Sequence, residues 1–193
     1  ILPDLAILDP LLTMDLPANI TASTGIDAMV HAIEAFTSVN PNNNPISKML
    51  SIEALKLLGS SIEVAVSDGK NIKARSNMLL GSMLAGKAFA NSPVAAVHAL
   101  AYPIGGLFNI SHGLSNSLVL PHVLKFNSFN EDARKNYAYL AQYLFKNLEN
   151  SKNDEKVCNH FIDLLENLSK KLKLPYRLRD LGIPEEACNS MAK

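Results

Sequence analysis

The chain has 193 residues, 48% hydrophobic and 19% charged, without a Trp, enough to bury an aliphatic core unaided by disulfides and unlike a disordered or collagen-like chain. Lys plus Arg number 18 and Asp plus Glu 18, for a formal net charge of zero, so the basic field that holds a nucleic-acid backbone is missing. Cys158 and Cys188 form neither a CxxC pair nor a disulfide framework and suit a reducing cytoplasm.

The N-terminal Ile1-Leu2-Pro3-Asp4 carries no initiator Met and no charged leader, so the chain reads as cut from a longer one. Leu5-Ala6-Ile7-Leu8 is expected to be a strand or entry segment, and Asp9-Pro10 to open a loop running to Pro17. With only 9 Gly and bunched turn residues, helix should dominate beyond Pro17. Thr21, Ser23 and Thr24 offer caps for a first helix whose Ile26, Met29, Val30, Ile33 and Phe36 recur at helical steps. Asn40-Pro41 through Pro45 ends it. A second helix is expected from about Ser47 to Val66. A third, reaching about Asn91 and carrying the small residues Gly81, Ser82, Ala85 and Gly86, reads as internal.

Ser92-Pro93 predicts a helix from Pro93 to about Tyr102, stopped by Pro103, with Gly105-Gly106 turning the chain. The apolar run Val94 to Phe108 is too short and too interrupted to span a bilayer and reads as buried core. Another helix opens at Ser111-His112-Gly113, with a kink or restart at Pro121. Two amphipathic helices come next, Asp132 to Asn147 and Asp154 to Leu174, and Pro184 starts one more.

Asp27 and His31 stand four apart on the first helix, so both project from one face, as a surface ion pair or as two ligands of one metal. His98 lies among small apolar residues, where an imidazole must be hydrogen-bonded or coordinated. His112 follows a glycine turn that can fold both histidines against one point. One carboxylate and three imidazoles suit Fe(II), Zn(II), Co(II) or Ni(II), and not the oxygen-only sets of Ca or Mg. His122 reads as structural and His160 as solvated. Neither GxGxxG nor GxxxxGK[ST] occurs, and no GxSxG elbow accompanies Ser111-His112, so a nucleotide cradle and a serine hydrolase are both excluded.

Thr24-Gly25-Ile26-Asp27-Ala28-Met29-Val30-His31-Ala32-Ile33-Glu34-Ala35, His98-Ala99-Leu100-Ala101-Tyr102-Pro103-Ile104-Gly105-Gly106, His112-Gly113-Leu114-Ser115-Asn116 and Leu120-Pro121-His122 closely resemble the iron-containing (group III metal-dependent) alcohol dehydrogenases. The resemblance covers nearly the whole chain. It implies an all-α fold, a helical bundle of the dehydroquinate synthase-like type, with residues 1–193 forming a C-terminal metal-binding catalytic domain. The N-terminal dinucleotide-binding domain would be absent and the C-terminal end cut short.

By the same resemblance Asp27, His31, His98 and His112 bind Fe(II) or Zn(II), the full-length enzyme uses NAD or NADP, and the substrate is a small alcohol or aldehyde. It further suggests a homodimer, while the cysteines, the net charge and the apolar runs suggest a cytoplasmic chain with no nucleic-acid or membrane partner. Phe89 matches a substrate-pocket aromatic of relatives or is core packing. Tyr102 stands where many relatives carry a histidine on the proton path, and a phenol, ordinarily titrating near pH 10, relays protons less readily at neutral pH. Asn109 and Ser111 replace the His and Pro usual in relatives. Two other readings compete: a helical interaction module with structural histidines, and a metal-dependent hydrolase or lyase on the same four ligands.

Overall fold

The computed structural model describes residues 3–145 and 153–191. Among them there is no strand; eight α-helices and two short 3₁₀ turns make up the regular structure. The helices are α1 Ala18–Thr37, α2 Pro45–Ser67, α3 Ile72–Phe89, α4 Ala96–Phe108, α5 His112–Asn127, α6 Glu131–Leu144, α7 Asp154–Lys171 and α8 Ala187–Met191.

α1 is buried along most of its length, with α2, α3, α5 and α6 packed around it. Ile26, Met29 and Ile33 of α1 meet Leu55, Leu58 and Ile62 of α2, Leu120 and Leu124 of α5, and Leu140 of α6, all buried. The amphipathic α7 adds Phe161 and Leu165 to the same core. On α3, Arg75 is buried and ties three segments together, donating to Thr21 Oγ1 (2.7 Å), Gly69 O (2.9 Å) and Leu16 O (3.2 Å).

Several local expectations are corrected. Leu5 to Leu8 is irregular and exposed, with no described strand to pair with, and Pro10–Thr13 forms a 3₁₀ turn whose cap is Asp9, bonded to the Leu11 N–H. The first helix starts at Ala18, before the expected caps. Thr21 instead accepts from Arg75, while Ser23 and Thr24 bond back to the Ile20 carbonyl, a common alternative for hydroxyls inside a helix. Its C-terminal end is held by Asn43, whose amide donates to Phe36 O and Ser38 O. The second helix opens at Pro45, capped by Asn44.

The third helix is not internal. Leu80 and Ser82 are exposed, and Leu79, Met83 and Gly86 are half-buried. Gly81 does allow close approach to Leu58 and the Ala54 carbonyl of α2, but a Cβ on Gly86 would meet nothing within 4 Å.

The fourth helix begins at Ala96 and runs through both Pro103 and Gly105-Gly106 to Phe108. Ser92 does not cap it; its hydroxyl donates to Asn43 Oδ1. The carbonyl that Pro103 deprives of a donor belongs to Ala99, which is exposed and within reach of water. Nor is the 94–108 run all core. Val97, His98, Ala101 and Ile104 are buried, but Leu100, Tyr102 and Leu107 lie open. The chain turns instead at Asn109, left-handed at φ 54°, a conformation asparagine tolerates well. The next helix passes through Pro121 without restarting. The sixth ends at Leu144, and Asn147, its expected end, lies outside the described residues. The seventh ends at Lys171, and the last begins at Ala187, preceded by a 3₁₀ turn at Leu178–Leu181.

Candidate metal centre

Three helices bring the predicted ligands together. Asp27 and His31 project from one face of α1, His98 comes from the first turn of α4, and His112 is the first residue of α5. The α1–α5 contact is tight because Gly113 has no side chain: a Cβ there would lie 2.5 Å from the Ser23 carbonyl oxygen and 3.3 Å from Asp27 Cβ.

One donor atom from each of Asp27, His31, His98 and His112 lies within 4.8 Å of the other three. His31 Nε2 is 3.1 Å from His98 Nε2. Asp27 Oδ1 stands 3.8 Å from His98 Nε2 and 3.6 Å from His112 Nε2. The centre is buried at His98, half-buried at Asp27 and His31, and open at His112, whose side chain is 47% exposed. It therefore presents its donors toward solvent on one side only.

The protons on these rings follow from their partners. His98 Nδ1 lies 2.6 Å from Glu34 Oε2, and a carboxylate accepts, so the proton sits on Nδ1 and leaves Nε2 with a lone pair. His31 Nδ1 lies on the Asp27 side, 3.9 Å from Oδ2. The His98 Nε2 lone pair faces His31 Nε2 at 3.1 Å. That lone pair is satisfied by a proton on His31 Nε2 or by a cation held between the two nitrogens. Burial, the largest influence, holds His31 below its ordinary pKa; Asp27 opposes this and His98 and His112 add to it. A neutral imidazole is the form that binds a metal. The donor set and its protonation thus fit a divalent transition ion.

Two aromatics flank the centre. Phe89, the last residue of α3, stacks on His31 with ring centroids 4.7 Å apart, which favours its reading as a wall of the site over plain core packing. Tyr102, 60% exposed on α4, lies roughly parallel to His112 at 6.1 Å. His122 and His160 are exposed and take no part, so His122 has no buried structural role.

Sequence reasoning missed two residues as members of the site. Glu34 is buried and bonds His98. Asn116 donates to Asp27 Oδ1 at 2.5 Å and faces His112 Nε2 at 3.1 Å, while its own Oδ1 is buried with no hydrogen-bond partner. A signal existed for both. Glu34 is three residues after His31 and Asn116 four after His112, intervals that share a helix face.

Comparison with known proteins finds relatives over the whole chain. A long-chain-alcohol dehydrogenase of Geobacillus thermodenitrificans (strain NG80-2) is 40% identical over 193 residues, all of this chain and 48% of that protein. A 1,3-propanediol dehydrogenase of Citrobacter freundii is 36% identical over 192 residues, again 48% of its length. The crystal structure of a 1,3-propanediol oxidoreductase superposes with a TM-score of 0.89 at 35% identity, over 95% of this chain and 47% of that one. The chain thus spans about half the length of the relatives it matches. The sequence profile of the Fe-containing alcohol dehydrogenase family, C-terminal part, matches residues 21–193. The chain therefore belongs to the Fe-containing alcohol dehydrogenase family, of which it carries the C-terminal, all-helical part.

Proposed function

We propose that this chain supplies the metal half of an NAD(P)-dependent alcohol dehydrogenase, with Asp27, His31, His98 and His112 holding one Fe(II) or Zn(II). One observation carries the reading: four donors from three helices converge within 4.8 Å on a centre open to solvent at His112. A divalent ion bound there supplies Lewis acidity that polarises an alcohol or carbonyl oxygen for hydride exchange with a nicotinamide.

The chain's own residues do the rest. Asp27 contributes the one anionic ligand. His98, buried and bonded through Nδ1, gives the centre a fixed corner. Phe89 closes the His31 side with an apolar ring, which favours the hydrocarbon part of a small alcohol or aldehyde. Tyr102 stands on the open side next to His112, on the path of a proton leaving for solvent. No nucleotide cradle is encoded in the 193 residues, so the isolated chain is expected not to oxidise alcohols. Detectable NAD-dependent turnover by it would overturn that expectation.

The test is titration of the metal-stripped chain with Zn(II) and, anaerobically, Fe(II), beside the His98→Ala/His112→Ala double variant. One ion per chain, lost in the variant, supports the reading. Metal content unchanged by the double substitution favours a helical interaction module with structural histidines. Activity of the full-length parent with and without a nicotinamide separates a dehydrogenase from a metal-dependent hydrolase or lyase.

A further inference from the structure

The structure assigns to Glu34 a positioning role: its carboxylate fixes the His98 tautomer and the start of α4 together, so that the His98 Nε2 lone pair is aimed at the other ligands before any ion arrives. The inference rests on the metal-centre reading above. Glu34 is 4% exposed, a burial that a carboxylate tolerates only when fully partnered. Its partners account for it. Oε2 accepts from His98 Nδ1 at 2.6 Å and from the Ala95 N–H at 3.0 Å, and Oε1 accepts from the Val97 N–H at 2.7 Å.

Those two amides lie at the N-terminal end of α4, whose own N-cap residue, Ala95, has no side chain able to accept from them. A side chain from α1 therefore does what a local cap would do, at the point where α4 delivers its ligand. Asp27, His31 and Glu34 share one stretch of α1, so the first-turn geometry of α4 is referred to the same rigid rod that carries two other ligands. The position of His98 relative to Asp27 and His31 is set by one carboxylate. Charge fits as well. Asp27 acting directly and Glu34 through His98 place two negative charges against a divalent ion, with three neutral imidazoles. Hydrogen bonds from metal-binding histidines to carboxylates have this orienting effect generally, and their loss weakens metal binding by about 10- to 100-fold.

The experiment uses the 193-residue chain at pH 8. Long-range proton–nitrogen NMR on histidine-labelled, metal-free protein reads the tautomer of His98, assigned by its loss in His98→Ala. Co(II) titration followed by visible absorption reads the affinity of wild type and Glu34→Gln, whose amide has one acceptor for three donors. The expected result is Nδ1–H on His98 in the wild type, and a Co(II) Kd raised about 10- to 100-fold in the folded variant.

An Nε2–H tautomer in the wild type overturns the inference. So does a Glu34→Gln chain that melts earlier yet binds Co(II) within about threefold of wild type, because loss of the carboxylate should cost at least tenfold. Should Glu34→Gln not fold, the wild-type tautomer still decides. Should the wild type bind no Co(II), the metal-centre reading fails for this chain, and the tautomer alone upholds or overturns the positioning role.

Discussion

The ring of Phe89 lies against that of His31, with centroids 4.7 Å apart and planes inclined by 23°. A stack of this kind restricts rotation of the histidine and so prepares its Nε2. Phe89→Ala should leave the stoichiometry at one ion per chain and raise the Zn(II) Kd about 2- to 12-fold, the worth of one stacked aromatic pair. Phe89→Leu keeps the apolar wall without the stack and should show nearly the same loss. Calorimetric titration of both variants checks this; wild-type affinity in Phe89→Ala would mean that the ring does not hold His31.

Two glycines predict opposite outcomes for the same substitution. An added Cβ on Gly113 would fall 2.5 Å from the Ser23 carbonyl oxygen, which is backbone and has little room to move. Gly113→Ala should therefore push α5 from α1, cost about 1–3 kcal/mol, and weaken metal binding through the neighbouring His112. At Gly86 an added Cβ meets nothing. Gly86→Ala should stabilise α3 by about 0.5–1 kcal/mol through helix propensity alone and leave metal affinity unchanged. Urea unfolding and Zn(II) titration of the two variants test both halves.

The legible and the hidden residues divide along physical lines. Asp27 and His31 are legible because a helix fixes the relation of residues four apart, and the bundle is legible from the periodicity of α1, α2 and α7. Glu34 is legible only as a neighbour of His31 on α1; its capping role is not, because its partners lie 61, 63 and 64 positions away and nothing local marks a carboxylate that caps a distant helix. The same contact explains the misplaced start of α4: Ser92-Pro93 looks like a cap and first turn, but Ser92 bonds Asn43 and the capping oxygens come from Glu34. Pro103 and Gly105-Gly106 carry breaker chemistry, yet the buried stripe Val97, His98, Ala101 and Ile104 packed on α5 holds the helix through them. The convergence of His98 and His112 with the pair on α1 is a tertiary fact, which the short span between the two histidines suggests and the family resemblance makes specific.

Acid should empty the centre. Histidine ligands bind as neutral imidazoles, so each proton taken up below about pH 6.5 competes with the ion. In the metal-free chain burial holds His31 below its ordinary value, so the unfolded chain takes this proton first. The contribution of His31 to stability is complete above about pH 6.5 and is lost as pH falls from there toward its lower folded value. Zn(II) affinity measured from pH 8 to pH 5.5 should fall below about pH 6.5, with protons released on binding there; an affinity independent of pH would exclude histidine ligation.

Alkali should destabilise the fold through two buried groups that are not among the four ligand residues. Burial raises the Tyr137 phenol from 10.0 to about 12, against a modest pull from its hydrogen bond with Asn127, and raises the Cys158 thiol from 9.0 to about 11. Both acids thus hold their protons more tightly when folded, and the unfolded chain loses them first. Their contribution is complete below about pH 9 and is lost as pH rises, through 9 to 11 for the thiol and 10 to 12 for the phenol. Each carries at most about 2–3 kcal/mol, since a tenfold change in acid strength corresponds to about 1.4 kcal/mol. The urea midpoint should therefore decline in two overlapping steps above about pH 9, and Cys158→Ala, less stable at neutral pH for the space it leaves, should delay the onset to about pH 10. A midpoint that stays flat to pH 11 in the wild type would mean that neither group is as shielded in solution as its packing requires.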